Sequence, residues 1–397
     1  MPSIDYKNIA CIVGVGQSPY ALQVNRSPVS LQTEAFRNAL EDAGLDKGQI
    51  DGFSTAHGAP TGVDYDEFVA HAGLEIRWAL QHQDHGRWSS TSLASAALAV
   101  ASGFANYVAI CNTTLSHRGY GKFFQPYARG GWGENKRDVT GGHGEIDWVG
   151  LDTPGSGTSL AARMYFEKYG ATSEELATVA LTFRKHANMN PAAIMYDRPM
   201  DLDDYMESRW ITPPYRLFDY CLRNEGSTCL IVTTPERARD LKQTPVFLSG
   251  FQGVGSSRND FHNYARPGLP LGFQEEFDYV APEQPVYGVA GVEQGDIDAL
   301  YMYDSFSTNL WMVLERFGFC KAGEAHEFIQ GGRIALGGEL PVNTNGGLMS
   351  EGHYSGYNHI IEMVRQLRGE AGPRQLPNPE VLQWATSFGD STILTKG

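Results

Sequence analysis

Residues 343–359, N-T-N-G-G-L-M-S-E-G-H-Y-S-G-Y-N-H, bring together side chains that can transfer protons. Within this segment, G-H-Y-S-G at 352–356 places His353 and Tyr354 between two glycines, and glycine allows a backbone to approach a ligand closely. Imidazole and phenol groups act as general acids and bases. A purely structural turn is the alternative, but such a turn does not need an adjacent histidine and tyrosine. The pattern therefore favours an acid–base site.

Motifs for several other chemistries are absent or incomplete. G-V-G-Q-S-P-Y at 14–20 has Pro19 where a dinucleotide-binding loop needs its third glycine. The sequence contains no P-loop, no H-E-x-x-H and no G-x-S-x-G, which argues against nucleotide hydrolysis and serine hydrolase chemistry. His82, His85 and His143 are isolated histidines. We therefore predict no metal site.

The composition is that of a soluble globular protein. Of 397 residues, 42% are hydrophobic, and 45 glycines with 20 prolines supply turns. A net charge of −15 argues against binding nucleic acid or an anionic membrane, because both need a basic surface. The sequence shows no signal-peptide pattern and no run of roughly 18 apolar residues. With five cysteines and no C-x-x-C pair, the thiols are expected to be reduced and the protein cytoplasmic.

Apolar runs and helical periodicities alternate along the first half, which predicts the α/β class. The predicted elements are a strand at 7–16, a helix at 28–44, a strand from 48–53, a helix at 89–103 and a strand ending at Cys111. An irregular region at about 112–170, rich in glycine and aromatic residues, follows. A loop of this length is usually functional, so we expect it to cover an active site or to form subunit contacts.

The second half repeats features of the first in the same order. T-P-V-F-L-S-G-F-Q-G-V-G at 244–255 is similar to the opening strand, and G-D-I-D-A-L at 295–300 is similar to G-Q-I-D-G-F at 48–53. A helix ending near Gly369 and a last strand in W-A-T-S-F-G-D-S-T-I-L follow. We predict a duplicated α/β unit, with halves 1–240 and 241–397 and the loop insertion at about 112–170 in the first.

Several of these segments resemble those of thiolases. N-T-N-G-G-L-M-S-E-G-H-Y-S-G resembles the thiolase segment N-x-x-G-G-x-x-x-x-G-H-P-x-G, and Y-D-S-F at 303–306 resembles N-E-A-F. E-R-F-G-F-C-K-A-G-E at 315–324 and V-R-Q-L-R-G-E-A-G at 364–372 are most similar to the sterol-carrier or lipid-transfer branch. The resemblance implies a duplicated, five-layered αβαβα architecture with an inserted loop domain. It also implies an acyl-CoA loop that includes Gly346 and Gly347.

Both thiolase cysteines are missing from the corresponding segments. R-W-S-S-T-S-L occupies 87–93, where thiolases carry their nucleophile, and T-S-F-G-D occupies 386–390 in place of C-x-G. A hydroxyl needs a strong adjacent base to act as a nucleophile. We therefore expect Ser89, Ser90 and Thr91 to cap a helix.

The loss of both cysteines together with Tyr303 and Tyr354 resembles the steroid side-chain aldolases, which cleave a β-hydroxyacyl-CoA to a ketone and a shorter acyl-CoA. The resemblance implies retro-aldol chemistry with His353 at the oxyanion site, one tyrosine as base and the other as hydrogen-bond donor. Tyr354 is our first choice for the base, with Asp304 tuning Tyr303, and the exchanged assignment stays open. A phenolate at pH 7 costs about 4 kcal/mol at an ordinary pKa.

Two other functions remain. One is a thiolase or acyltransferase with a displaced nucleophile, Cys111 or Cys320, and the other is a non-catalytic subunit that binds acyl-CoA. The basic run Arg184, Lys185 and His186 could meet CoA phosphates, but a solvated helix face is the favoured interpretation.

The resemblance also implies partners. These are an acyl-CoA substrate without a further cofactor, a homodimer core and a small OB-fold or zinc-ribbon protein.

Overall fold

The computed structural model describes residues 6–56, 62–82, 89–115, 154–254 and 283–397. Its strands are β1 Cys11–Gln17, β2 Gly52–Thr55, β3 Trp78–Gln81, β4 Val108–Leu115, β5 Trp210–Thr212, β6 Tyr215–Arg216, β7 Glu225–Thr233, β8 Val246–Gln252, β9 Ala299–Met302, β10 Val381–Ala385 and β11 Ser391–Lys396. Its α-helices are α1 Pro28–Ala43, α2 Tyr65–Ala72, α3 Ser89–Ala101, α4 Pro154–Tyr169, α5 Ser173–Ala187, α6 Leu202–Glu207, α7 Pro235–Ala238, α8 Pro285–Ala290, α9 Thr308–Arg316, α10 Ala325–Phe328, α11 Gly347–Ser350 and α12 Tyr357–Arg368.

Nine strands form one mixed sheet in the order β3-β2-β4-β7-β1-β8-β11-β10-β9. The two similar opening strands, β1 and β8, pair antiparallel at its centre. The second pair of similar segments leads into β2 and β9, which lie on opposite sides of that centre. The similar segments therefore form strands at matching places on the two sides of the sheet's centre. The division at residue 240 stays a prediction.

The two sides of this sheet form two β layers with α3 and α12 between them. Helices α1 and α2 cover the first layer, and α5, α8 and α9 cover the second, which makes five layers. Strand side chains alternate between its faces: Val13 packs with the cluster of α1 and α2, and Ile12 packs with the central cluster that holds α3 and α12. In the second half, Leu300 packs with α5, α8 and α9, whereas Tyr301 joins the central cluster. The described residues thus confirm the αβαβα architecture.

The opening glycines allow a helix to pack on a strand. A Cβ atom at Gly14 would lie 2.4 Å from the carbonyl oxygen of Ala39, and one at Gly16 would lie 2.2 Å from that of Ala35. Both carbonyls belong to α1, which ends at Gly44 in the left-handed conformation, with φ of 71°. G-V-G therefore brings α1 against β1, which agrees with rejecting a dinucleotide loop.

Two expectations need correction. The segment expected as one last strand is a hairpin of β10 and β11, because residues 386–390 form a turn between them. The region expected to be irregular is helical from Pro154 to Tyr169, and β4 continues to Leu115. Residues 116–153 lie outside the described residues. In the ranges that are described, no helix is long and apolar enough to cross a membrane.

Candidate active site

Tyr303 and His353 meet through a direct hydrogen bond. Tyr303 follows the end of β9, and His353 lies in the loop between α11 and α12. The phenol oxygen of Tyr303 is 2.9 Å from Nε2 of His353, and both residues are buried. The structure thus joins two of the predicted site residues, which are 50 positions apart in the sequence.

Burial keeps the imidazole of His353 neutral near pH 7. Desolvation lowers the pKa of His353 to about 4, and although nearby Asp304 opposes this shift, His359 adds to it. A neutral imidazole has one nitrogen that donates and one that accepts. Nε2 can therefore exchange a proton with Tyr303.

Tyr354 has different partners, although it is adjacent to His353. Its hydroxyl donates to the carbonyl oxygen of Glu225 at 3.0 Å, and its ring stacks on Tyr20 with centroids 4.0 Å apart. Burial raises the pKa of Tyr354 well above its ordinary value. Its phenol is therefore protonated in this arrangement.

Asp304 organises the loop that carries His353. Its fully buried carboxylate accepts hydrogen bonds from the backbone N–H groups of Leu348 at 2.9 Å and Met349 at 3.1 Å. It also lies 3.0 Å from the side-chain nitrogen of Asn343 and 3.1 Å from Nε2 of His359. The hydrogen bonds described for this carboxylate all lead to residues 343–359. None of these hydrogen bonds reaches Tyr303, so the expected tuning of Tyr303 by Asp304 is not a hydrogen bond among those described.

Gly346 and Gly347 lie at the start of α11 with φ of 106° and 69°, in the region that favours glycine. A Cβ atom at Gly347 would lie 2.2 Å from Oδ2 of Asp304, and one at Gly346 would lie 2.6 Å from Cβ of Ala187. Close packing thus accounts for both glycines. Their predicted place in an acyl-CoA loop stays a prediction.

Three side chains of the first half bind the backbone of the loop, and sequence analysis missed two of them, Asn112 and Asn224. Asn224 Oδ1 accepts from the N–H of His353 at 2.6 Å, Asn112 Nδ2 donates to the carbonyl of Tyr354 at 2.6 Å, and Ser89 Oγ donates to the carbonyl of Ser355. No motif in the sequence signals Asn112 or Asn224, because both act across more than 100 residues.

The other hydroxyls at the start of α3 do not cap that helix. The oxygens of Ser90 and Thr91 are buried and have no hydrogen-bond partner in the described structure. The capping role expected for these two residues is therefore wrong. Ser89 is the residue of the set whose hydroxyl reaches the loop.

The five cysteines all lie in described segments, and four of them have raised pKa values that disfavour the nucleophilic thiolate. Burial raises the pKa of Cys111 and Cys320 above the ordinary thiol value, and raises that of Cys11 and Cys221 to about 12. Cys229 is buried opposite Cys111 in the sheet. A thiol with a raised pKa is mostly protonated at pH 7, and the thiolate is the nucleophile.

The expected solvated face at residues 184–186 is wrong for two of its three members. Arg184 and His186 are buried. Arg184 donates to the hydroxyl of Ser350 at 3.1 Å, and His186 Nε2 accepts from the backbone N–H of Leu336 at 3.0 Å. These cationic or polar groups face the interior because α5 packs against α11. Arg184 and His186 hydrogen-bond to Ser350 and to the Asn343 carbonyl in the segment 343–359. These two buried side chains offer no exposed patch to CoA phosphates.

The described segments contain no group of three or more His, Cys, Asp or Glu side chains that could hold a metal ion. The phenol of Tyr303 and the imidazole of His353 can take part in proton transfer and hydrogen bonding.

Comparisons with known proteins agree with the fold. Residues 282–391 match the family described as thiolase C-terminal domain-like. The chain is 36% identical to the 17-hydroxy-3-oxo-4-pregnene-20-carboxyl-CoA lyase of Mycobacterium tuberculosis over 369 residues, 91% of this chain and 92% of the relative. It is 35% identical to a steroid side-chain-cleaving aldolase of Thermomonospora curvata over 370 residues, 91% of this chain and 90% of the relative.

A solved structure of an Ltp2-ChsH2(DUF35) aldolase matches with a TM-score of 0.82 and 29% identity, covering 99% of both chains. These findings define a thiolase-superfamily protein. The chain belongs to the steroid side-chain-cleaving aldolases of this superfamily, and it is a carbon–carbon lyase.

Proposed function

We propose that this chain cleaves a β-hydroxyacyl-CoA by a retro-aldol reaction in which Tyr303 and His353 transfer the protons. The hydrogen bond between the Tyr303 phenol and His353 Nε2 carries the proposal. It links a hydroxyl that can contact substrate to a neutral imidazole that can accept its proton.

The proton removed from the substrate in this reaction is returned to the product. The tertiary alcohol of the substrate gives its proton to the Tyr303 oxygen while Tyr303 passes its own proton to His353. The bond between the α and β carbons then breaks, which leaves a ketone and the enolate of the shorter acyl-CoA. The proton held by the pair returns to the α carbon. A free phenolate costs about 4 kcal/mol at pH 7. The relay forms a transient imidazolium instead, which costs a similar amount when its pKa is about 4 and which the adjacent enolate stabilises.

The contacts of Tyr354 favour the exchanged assignment of the two tyrosines. Its hydroxyl donates to Glu225, and burial raises its pKa, so it is a poor base. We assign Tyr354 the donor role toward the thioester oxygen, where negative charge develops; this role requires its single hydroxyl hydrogen to turn from the Glu225 carbonyl to the bound substrate. Asp304 positions the loop, and Gly346 and Gly347 keep their proposed place beside acyl-CoA.

The proposed substrate is a steroid side-chain CoA thioester, and the shorter product is propionyl-CoA or acetyl-CoA. The names of the two similar relatives support this class. The CoA thioester is the substrate, and the scheme needs no additional cofactor. The reaction is proposed to occur in the cytoplasm.

The name of the solved aldolase joins Ltp2 with ChsH2(DUF35), which supports a partner protein for this chain. We propose a homodimer core with a small OB-fold or zinc-ribbon partner. Co-purification of the chain with its neighbouring gene products, followed by mass measurement of the intact complex, tests this assembly. A catalytically competent monomer would contradict it.

The function is tested by incubating the co-expressed complex with a steroid-derived β-hydroxyacyl-CoA and detecting ketone and acyl-CoA by mass spectrometry. Tyr303→Phe is expected to lower kcat at least about 100-fold, within the range of acid–base catalysis. Tyr301→Phe is the matched control, because the Tyr301 hydroxyl lies 2.8 Å from that of Thr344 and its loss affects only stability.

Three results would reject the scheme. They are normal turnover in Tyr303→Phe, product formation that requires free CoA and is abolished by cysteine alkylation, and substrate binding without cleavage in the complete complex. The second result would favour a thiolase, and the third a non-catalytic acyl-CoA-binding subunit.

A further inference from the structure

Residues 353–355 are held by the other half of the chain at three consecutive positions. Asn224, just before β7, accepts from the N–H of His353 at 2.6 Å. Asn112, on β4, donates to the carbonyl of Tyr354 at 2.6 Å. Ser89, the first residue of α3, donates to the carbonyl of Ser355. All three side chains are fully buried.

This loop needs such external bonds because its backbone is irregular. Ser355 has φ of 54°, a left-handed conformation that costs a residue with a side chain about 1–2 kcal/mol. Gly356 has φ of 90°, and a Cβ atom there would lie 2.2 Å from the Trp384 ring. The loop between α11 and α12 is thus held in a conformation that local sequence disfavours.

The bond from Ser89 gives a role to a position in the segment where thiolases carry their nucleophile. The neighbouring hydroxyl of Ser90 is equally buried but has no described partner, so burial alone does not explain the contact of Ser89. The hydroxyl of Ser89 is directed at the loop that carries His353 and Tyr354.

We propose that Ser89, Asn112 and Asn224 are positioning residues that hold His353 and Tyr354 in register with Tyr303. The inference rests on the proposed function, because it assumes that this loop performs proton transfer. A bond of 2.9 Å joins Tyr303 to His353, and a displacement of about 1 Å in a reacting group can cost about 100-fold in rate. The first half therefore sets the geometry of the catalytic loop of the second half.

Ser89→Ala tests the proposal, with Ser90→Ala as the matched control. Ser89→Ala is expected to lower kcat at least about tenfold while KM changes less than about twofold, because the substrate still binds but the loop is misaligned. Ser90→Ala is expected to retain wild-type kcat. Ser89→Thr restores a hydroxyl and is expected to recover most of the lost rate. Equal kcat values in Ser89→Ala and Ser90→Ala would overturn the role of Ser89.

Asn112→Ala supplies a second measurement that does not depend on the folding of the Ser89 variant. It is expected to lower kcat as Ser89→Ala does, with a circular dichroism spectrum like that of the wild type. Tyr303→Phe in the same assay separates the two proposals. Loss of activity in Tyr303→Phe with normal kcat in Ser89→Ala and Asn112→Ala overturns the positioning role alone. Normal activity in Tyr303→Phe overturns the proposed function and with it this inference.

Discussion

The neutral imidazole of His353 lies within hydrogen-bonding distance of the Tyr303 phenol, which is what the proposed proton transfer requires. The pKa of His353 falls to about 4 mainly through burial, so the ring can accept a proton from Tyr303 throughout the neutral range. Tyr354 differs because its proton is directed to the Glu225 carbonyl. The two tyrosines thus have different neighbours, which is the basis for proposing different chemical roles for them.

The depressed pKa of His353 predicts the pH dependence of kcat/KM. An ordinary histidine would lose its neutral form as pH falls through about 6.5, whereas His353 loses it only near pH 4. We expect no decrease of kcat/KM from His353 between about pH 8 and pH 6. Initial rates measured across this range check the prediction, with unfolding monitored at each pH. An acid limb centred near pH 6.5 in the folded enzyme would contradict it.

The turn into α11 combines a left-handed glycine with a buried carboxylate. Gly347 allows Asp304 to accept the N–H groups of Leu348 and Met349, which are unpaired at the start of a helix. Any side chain at 347 would occupy the place of this carboxylate. The Asp304 carboxylate therefore joins the end of β9 to α11 and to the start of α12.

Gly347→Ala is predicted to destabilise the protein more than Gly318→Ala. Both glycines have positive φ, 69° and 79°, so both substitutions cost about 1–2 kcal/mol in backbone strain. Only Gly347 also brings a Cβ atom against Asp304, while Gly318 has no neighbour within 4 Å. Denaturant unfolding of both variants measures the difference. Equal losses would show that contact with Asp304 adds nothing to the strain.

Asp219 connects α6 and β6 to the start of α9. Its buried carboxylate accepts from the hydroxyls of Tyr205 at 2.8 Å and Ser307 at 2.7 Å, and from the N–H of Arg216 at 2.6 Å. Burial raises the pKa of Asp219 to about 6, although these donors and the Arg216 charge oppose the shift.

A raised carboxyl pKa makes the folded state bind its proton more tightly than the unfolded state. The contribution of Asp219 is therefore fully present below about pH 4 and is lost as pH rises to about 6. Two pKa units correspond to about 3 kcal/mol. We expect the free energy of unfolding of Asp219→Asn to decrease less over this range than that of the wild type. Parallel pH profiles from denaturant unfolding would contradict this prediction.

The two halves of the chain share one core. The central cluster combines Ile12 and Val108 of the first half with Leu248 and Leu382 of the second, and β1 pairs with β8 across the junction. The hydrogen bonds of the candidate site also cross this junction, since Asn112 donates to the Tyr354 carbonyl. Separation of the halves would expose apolar surface on both.

We predict that fragments 1–240 and 241–397 do not fold separately. Each would expose its side of the central cluster, whereas co-expression would restore burial. Circular dichroism and limited proteolysis of each fragment, alone and together, measure this dependence. The intact chain is the control and is expected to unfold in a single cooperative transition. Two independent transitions, or a protease-resistant fragment, would contradict the prediction.

Helix periodicity and short apolar runs predicted most of the regular elements, because the relevant information is local. Pro28 and Gly44 mark α1, and the pattern ending at Gly369 marks α12. Local patterns failed where a turn divides an apolar stretch, as between β10 and β11. They also failed at Arg184 and His186, whose polar side chains are buried by contacts distant in sequence.

The sequence by itself determined the α/β class through periodicity and the candidates His353 and Tyr354 through residue type, and its resemblance to thiolases added Tyr303. Only the tertiary structure decided which groups touch. It paired Tyr303 with His353, turned Tyr354 toward Glu225 and placed Ser89 on the loop. Those contacts, and the desolvation that shifts the pKa values, arise when segments far apart in sequence exclude water together.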